Sequence, residues 1–275
     1  MTKNLAKTER LLDKISDTLG QSKANDDRQF VTALGRGLVL LAAFEDYEQL
    51  SHQKLCQMSG LPKATVTRLV YTLTTLGFLR TTEHGQYKLG RSAVRLNAQA
   101  WNRHDMVAFS APLLRQFAIQ NEVSVNLATE IEGEMFYLAC YRSPARLSVN
   151  LQVGSAVPIS RTAIGRAFYT VSSPARQDLI KSNLQANLSI DEFQQAQTAL
   201  IRASHYYQMH GYALSDGDFS TDILAVAVGV FDVITGKYTH SLNASVPRAN
   251  WKAEEYAAMI VPKLQALAKN IGLGG

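Results

Sequence analysis

The stretch from Gly60 to Gly77 limits the folds open to this chain more than any other. Gly60 tolerates the positive φ that a sharp turn before a helix requires. Pro62 suits a first helical turn, where a missing N–H costs nothing. Val66, Leu69, Val70, Leu73 and Leu76 follow at helical spacing and make one apolar stripe, with Lys63, Thr65, Thr67, Arg68 and Tyr71 opposite. Gly77 is placed to end the helix. A short helix with its back on a core and donors on its outer face has the dimensions to enter a DNA major groove. Taken alone, the pattern equally describes a solvated amphipathic helix, so its neighbours decide.

Those neighbours favour the first reading. Leu34 to Phe44 is apolar at helical spacing, and Ser51 through Met58 reads as a second short helix with Ser51 as N-cap. That helix ends at Ser59-Gly60, a few residues before the third begins. After Gly77, Phe78–Thr82 and Gln86–Leu89 alternate around Glu83-His84-Gly85, the pattern of a hairpin. Helix, short helix, tight turn, helix and hairpin in this order make a winged helix-turn-helix. Lys63, Thr65, Thr67, Arg68 and Tyr71 are then the candidates for reading DNA. Arg68 is set against a guanine edge, and Lys63 and Arg36 against phosphate. Arg80 and Lys88 in the wing are placed along the backbone or minor groove.

Composition narrows the class further. A chain of 275 residues with 46% hydrophobic residues holds two domains or one large one. Residues 1–91 carry 13 Lys and Arg against 9 Asp and Glu, whereas residues 92–275 carry 15 against 14. The basic surplus sits with the proposed DNA-reading part. Cys56 and Cys140 stand apart in no CxxC pair, which fits a reducing cytoplasm and no disulfide framework. The N-terminus lacks a signal-peptide pattern, and the apolar run Ile223–Phe231 is far too short to span a bilayer, so no membrane is expected.

Chemistry finds no foothold. The six His are scattered, with no HExxH and no metal-like spacing. No GxSxG nucleophile elbow and no phosphate-binding GxxxxGK motif is present. Asp216 and Asp218 suit turn chemistry better than an acid–base pair. The expectation is a protein that is not an enzyme and has no metal and no cofactor.

In order, residues 1–29 read as an N-terminal extension, with Leu5, Leu12, Ile15 and Leu19 along one helix side and a polar linker from Gly20 to Asp27. Residues 30–91 are the winged module. Residues 92–110 form a linker helix carrying Val94, Leu96, Ala98, Ala100 and Trp101, with a second helix from Ser110-Ala111-Pro112. Residues 111–275 mix strands and helices. Strands are expected at Ser124–Glu130, Met135–Tyr141, Leu147–Val153, Tyr212–Ser215, Ile223–Phe231 and Tyr238–Ser245. Helices are expected at Thr162–Val171, after Ser173-Pro174, from an Asp191 cap to Met209, and from Trp251 behind an Asn250 cap, with Pro262 inside the last. This is an α+β sensor-type domain.

The succession resembles the IclR family of bacterial transcriptional regulators over about residues 30–272. The resemblance rests on Leu34-Gly35-Arg36-Gly37-Leu38 and Pro62-Lys63-Ala64-Thr65-Val66-Thr67-Arg68-Leu69 in the helices. It continues through Gly77-Phe78-Leu79 and Tyr87-Lys88-Leu89-Gly90 in the wing. Gly154 through Pro158, Thr162 through Ala167, Gly211-Tyr212-Ala213 and Leu224 through Ala227 extend it. It implies an N-terminal winged helix-turn-helix, a linker helix and a C-terminal GAF-like effector-binding domain. The implied partners are double-stranded operator DNA, a small organic or aromatic acid, and the protein itself as dimer or tetramer.

By the same resemblance the effector pocket lies between the 160–165 loop and the strands at 215–225 and 243–245. Its candidates are Ser160, Arg161, Thr162, Ala163, Ile164, Ser215, Asp216, Ala225, Asn243 and Ser245, with Met135, Tyr137, Val149 and Leu151 as walls. A helix N-terminus at Thr162 favours an anion, and Arg161 offers a bidentate grip on a carboxylate. The chain departs from the family where a His is usual after the loop proline, having Ile159 and Ser160, and where Arg161 replaces a small residue. The acidic run after Gly211-Tyr212 is thinned to Ser215-Asp216-Gly217-Asp218, and Asp222 replaces a glycine. From a different class, a ligand-binding sensor or scaffold whose winged module contacts protein is the alternative. Steep salt dependence of DNA binding separates the two.

Overall fold

The computed structural model describes residues 10–93, 95–96, 105–142 and 151–274. The chain divides into two compact units, one within residues 9–103 and one within residues 104–275.

The N-terminal unit opens on helix α1 (Leu11–Ala24), followed by α2 (Thr32–Ala42), α3 (His52–Ser59) and α4 (Lys63–Thr75). Strands β1 (Leu79–Thr81) and β2 (Tyr87–Leu89) pair antiparallel as the wing. Leu50 adds an isolated bridge to Tyr87, exchanging both backbone hydrogen bonds (2.9 and 2.8 Å). The core joins Val39, Leu40 and Phe44 to Leu50, Leu55, Val66, Val70 and Leu79, all buried. Removing such a side chain from water stabilises by about 1.5–3 kcal/mol each.

Two expectations are corrected here. The polar stretch from Gly20 is not a linker, because α1 runs through it to Ala24. Leu12 is buried, Ile15 and Leu19 pack on the same core, and the Leu11 N–H donates to the Glu45 carboxylate (2.8 Å). Three apolar contacts on one side outweigh the weak helix propensity of Gly20. Leu76 is not part of the α4 stripe: it is the C-cap residue and 59% exposed, because the helix ends before its side chain turns inward.

The predicted N-cap at Ser51 holds, with the Lys54 N–H donating to its hydroxyl (3.2 Å). Gly60 has φ 64°, a left-handed value, and its N–H closes α3 on the Cys56 carbonyl (3.1 Å). Ser51→Ala is expected to lower the stability of this unit by about 1 kcal/mol, read by chemical unfolding, with native-like circular dichroism.

The C-terminal unit begins with α5 (Asp105–Asn121), continuous through Pro112, so no second helix starts at Ser110. It continues with β3 (Ser124–Ile131), β4 (Glu134–Tyr141), β5 (Ala156–Pro158), α6 (Ala163–Val171), α7 (Pro174–Asn187), α8 (Ile190–His210), β6 (Ala213–Asp216), β7 (Ile223–Asp232), β8 (Lys237–Pro247) and α9 (Ala253–Gly274). The strands form one antiparallel sheet in the order β5-β4-β3-β8-β7-β6.

Alternation gives this sheet two faces. Val125, Leu127, Leu224, Val226, Val228, Leu242, Ala244 and Val246 pack with α5 and α9 in one core. Ala128, Met135, Tyr137, Ala213, Ala225 and Ala227 pack beneath α6, with Ile180 of α7 and Leu200 of α8 in the same cluster. This unit is thus α+β, with a sheet between two helical layers.

Several boundaries differ from expectation. The candidate strand at 147–153 lies mostly outside the described residues. Leu151–Val153 is not strand, and Ala156–Pro158 pairs with β4 instead. The α8 cap is Ser189, not Asp191: its hydroxyl accepts from the Glu192 N–H while the Glu192 carboxylate accepts from the Ser189 N–H, a capping box. α9 starts at Ala253, behind a short 3-10 turn at Arg248–Asn250 and an extended Trp251.

Candidate functional site

On α4 the exposed face carries Lys63, Ala64, Thr67, Arg68 and Tyr71, the last 73% exposed. Thr65 is half-buried. Arg80 projects from β1 into solvent, while Lys88 on β2 is half-buried and stands 3.9 Å from Glu48. Arg36 lies half-buried in the first half of α2. Four of the five α4 candidates therefore share an open surface, backed by buried Val66 and Val70. The linker positions Val94, Ala98, Ala100 and Trp101 lie outside the described residues.

The sequence reading missed His52. Its Nε2 lies 3.0 Å from Thr67 Oγ1, and its Nδ1 lies 3.6 Å from Cys56 Sγ. The Thr67 hydroxyl donates to the Lys63 carbonyl (2.9 Å), so the proton between the first pair belongs to His52 Nε2. Nδ1 is then the acceptor for the Cys56 thiol. This chain of bonds ties the start of α3 to the outer face of α4.

In the C-terminal unit the expected pocket residues gather on the α6 side of the sheet. Register aligns Ser124, Ser245, Ala225 and Ser215 in one row across four strands. The next row is Cys140, Asn126, Asn243, Ala227 and Ala213. Asn126 Nδ2 donates to Asn243 Oδ1 (2.9 Å), and Asn243 hydrogen-bonds the Tyr137 hydroxyl. Burial raises the Tyr137 phenol well above its ordinary range and pushes the Cys140 thiol up to about 12, so both stay neutral. Asn126, Ser124 and Cys140 were not among the expected residues. Alternation from Ala128 back to Ser124 was the available signal for the first two.

Above this floor, α6 begins at the Thr162 cap. The Gly165 N–H donates to Thr162 Oγ1 (3.3 Å), and that hydroxyl donates to the Pro158 carbonyl (2.9 Å). Ser241 Oγ donates to the Ile164 carbonyl (2.9 Å), pinning the helix to the sheet. Ser160, Thr162, Ala163 and Ile164 are buried, as are Met135, Ser215, Ala225, Asn243 and Ser245. Leu151 packs on the same cluster, and Val149 lies outside the described residues.

Two expected residues are exposed at the edge of the site rather than buried in it. Arg161 is exposed and donates to the Asp218 carbonyl (3.2 Å). Asp216 is exposed at the end of β6 and paired with Arg248. The arginine that braces the site is Arg166, which donates to the carbonyls of Ser160 (2.9 Å) and Leu214 (2.8 Å) and pairs with Asp218 (2.6 Å). It stitches α6 to β6 and to the loop after it. Among the described residues no group of three or more His, Cys, Asp and Glu is placed to hold a metal ion. No described helix is long and apolar enough to cross a membrane.

Comparison with known proteins fits both halves. Residues 33–83 match the IclR helix-turn-helix domain, and residues 98–273 match the family described as bacterial transcriptional regulator IclR, C-terminal. The second match alone spans well over half of the chain. The chain belongs to the IclR family. It is a DNA-binding transcriptional regulator by that membership, with a helix-turn-helix and an effector-binding domain. Among curated IclR-type relatives, the HTH-type transcriptional regulator TsaQ1/TsaQ2 of Comamonas testosteroni is 29% identical over 203 residues, 73% of either chain. A crystal structure of an IclR family transcriptional regulator from Brucella abortus superposes with TM-score 0.62 at 28% identity, covering 92% of this chain and 96% of that one. An IclR homolog from Microbacterium hydrocarbonoxydans, complexed with 4-hydroxybenzoate, shares the fold with TM-score 0.68 at 18% identity, covering 88% of this chain and 98% of that one.

Proposed function

We propose that this IclR family regulator binds double-stranded operator DNA as a dimer or tetramer in the cytoplasm, and that a small carboxylate held in the C-terminal unit alters that binding. Lys63, Thr65, Thr67, Arg68 and Tyr71 read or hold the duplex, with Arg36, Arg80 and Lys88 as phosphate or wing contacts. Self-association is supported by α2, where Leu34 and Leu38, with Val31 just before the helix, put exposed apolar side chains on one side. Two copies of α4 one helical turn apart, about 34 Å, read a palindromic site.

The observation that carries the effector reading is the contrast between the two faces of the C-terminal sheet. One is predominantly apolar, with His240 as its buried polar residue. The other is equally buried, yet lined with Ser, Asn and Ala beneath the first turn of α6. Small polar side chains in a buried layer leave room and hydrogen-bonding capacity that packing alone does not need. The first-turn amides of α6 favour a negative group, and Arg161 at the rim adds a positive one. Ser160, Thr162, Ser215, Asn243 and Ser245 supply polar contacts, and Met135, Tyr137, Leu151, Ala163, Ile164 and Ala225 the walls. The Microbacterium protein is complexed with an aromatic carboxylate, which sets the class to try first.

Calorimetric titration with aliphatic and aromatic acids, each beside its amide, tests the reading. Acids are expected to bind and amides not; uniform silence, or tighter binding of the amides, overturns it. Arg161→Ala is expected to weaken acid binding roughly fivefold, as for an exposed ion pair, and to leave the DNA affinity of the unliganded protein unchanged. The effect counts as allosteric if acid and operator shift each other's affinity by the same factor.

A further inference from the structure

We propose that Thr67 reads a thymine of the operator through its methyl group, with its hydroxyl withdrawn from DNA recognition. This rests on α4 being the helix that enters the groove. A threonine hydroxyl has one proton to donate, and here the Lys63 carbonyl takes it at 2.9 Å. One of its lone pairs takes the His52 Nε2 proton at 3.0 Å. His52 is in turn held by Cys56 at 3.6 Å, so the acceptor side is engaged by a braced ring rather than a free one. With the oxygen turned back along α4 and toward α3, tetrahedral geometry at Cβ leaves the methyl as the outward group.

The surroundings agree. Thr72 and Thr75 also return their hydroxyl protons to the carbonyls of Arg68 and Tyr71, each at 2.9 Å, so three of the five threonines on this helix turn their oxygens back to it. Ala64, exposed one turn before Thr67, extends the apolar spot. Arg68 and Tyr71 flank it. In the major groove a thymine presents a 5-methyl group that no other base carries, and apolar side-chain contact with it discriminates sequence. The pairing predicted is a thymine beside the base that Arg68 addresses.

The test uses the full chain and an operator selected from a random duplex pool. Each thymine of the selected site is replaced by uracil, which removes the methyl and leaves the protein untouched. Wild-type protein is expected to lose about fourfold in affinity at one position per half-site, the value of one buried methyl. Thr67→Val, which keeps the methyl and drops the hydroxyl, should show the same loss at the same position. Thr67→Ser, which does the reverse, should bind thymine and uracil versions equally. Operator binding by the wild type with no uracil-sensitive position, or a Thr67→Val protein that has lost its operator preference, overturns the inference alone. Failure of the selection to yield any preferred sequence overturns the reading of α4 on which it rests.

Discussion

Replacing Arg68 by alanine is expected to weaken operator binding by about 1–3 kcal/mol and to flatten the preference at one base position. Arg68 is exposed on α4, and among the described residues no ion pair engages its guanidinium. It stands one turn beyond Ala64 and one turn before Thr72, on the face that carries Thr67 and Tyr71. A guanidinium there is free to make paired hydrogen bonds to guanine O6 and N7. The measurement is a base-substitution series on the selected operator, with wild type and variant at one fixed salt concentration. A loss confined to one position supports base reading. A loss spread evenly over all sequences, with a smaller salt slope, reassigns Arg68 to phosphate. The fold should survive, because the side chain supports no buried contact.

Gly165→Ala is expected to destabilise the C-terminal unit by about 3 kcal/mol and to abolish the response to acids. A Cβ at Gly165 would lie 2.3 Å from the Ile159 carbonyl oxygen and 2.4 Å from the Ile159 Cα. Both are backbone atoms, so no side-chain rotation relieves the clash. α6 must then lift from the Pro158–Ser160 segment, which disturbs the Thr162 cap and the Arg166 bond to the Ser160 carbonyl. That is the corner proposed to hold the acid. Thermal unfolding should show an early transition for the C-terminal unit, and titration with acids that bind the wild type should be silent. Gly165→Ala with wild-type stability and response would mean the α6 corner is soft, and the pocket reading would lose its geometry.

Much of this was legible in order along the chain. The α4 stripe of Val66, Leu69, Val70 and Leu73, the Ser51 cap and the Gly60 turn are local features. Helical periodicity and a positive φ are set by neighbours within a few residues, so the winged module is legible in the sequence alone. The strands expected at Ser124–Glu130, Ile223–Phe231 and Tyr238–Ser245 were likewise legible, the first by alternation and the second as a continuous apolar run. The α1 docking was less visible, because the apolar positions Leu12, Ile15 and Leu19 are few and their partners on α2 lie about twenty residues away.

The candidate site divides along the same line. The resemblance carried by the Thr162–Ala167 segment pointed to the corner now proposed for the acid, but the sheet floor is made by register, which no single strand contains. Ser124 meets Ser245, and Asn126 meets Asn243, across more than a hundred residues of chain. A bulge matters as much: the pairs Leu127–Ala139 and Ala128–Tyr137 skip Leu138, and this one extra residue brings Tyr137 and Cys140 to the same face. Strict alternation would have parted them. His52 and Thr67 meet for a similar reason, since the turn at Gly60 folds α3 against α4. The sequence by itself determined which segments become helices and strands and which side of each is apolar, because those follow from short-range geometry. Only the tertiary structure decided which polar side chains share a surface, because that depends on pairings and bulges between residues far apart in the chain.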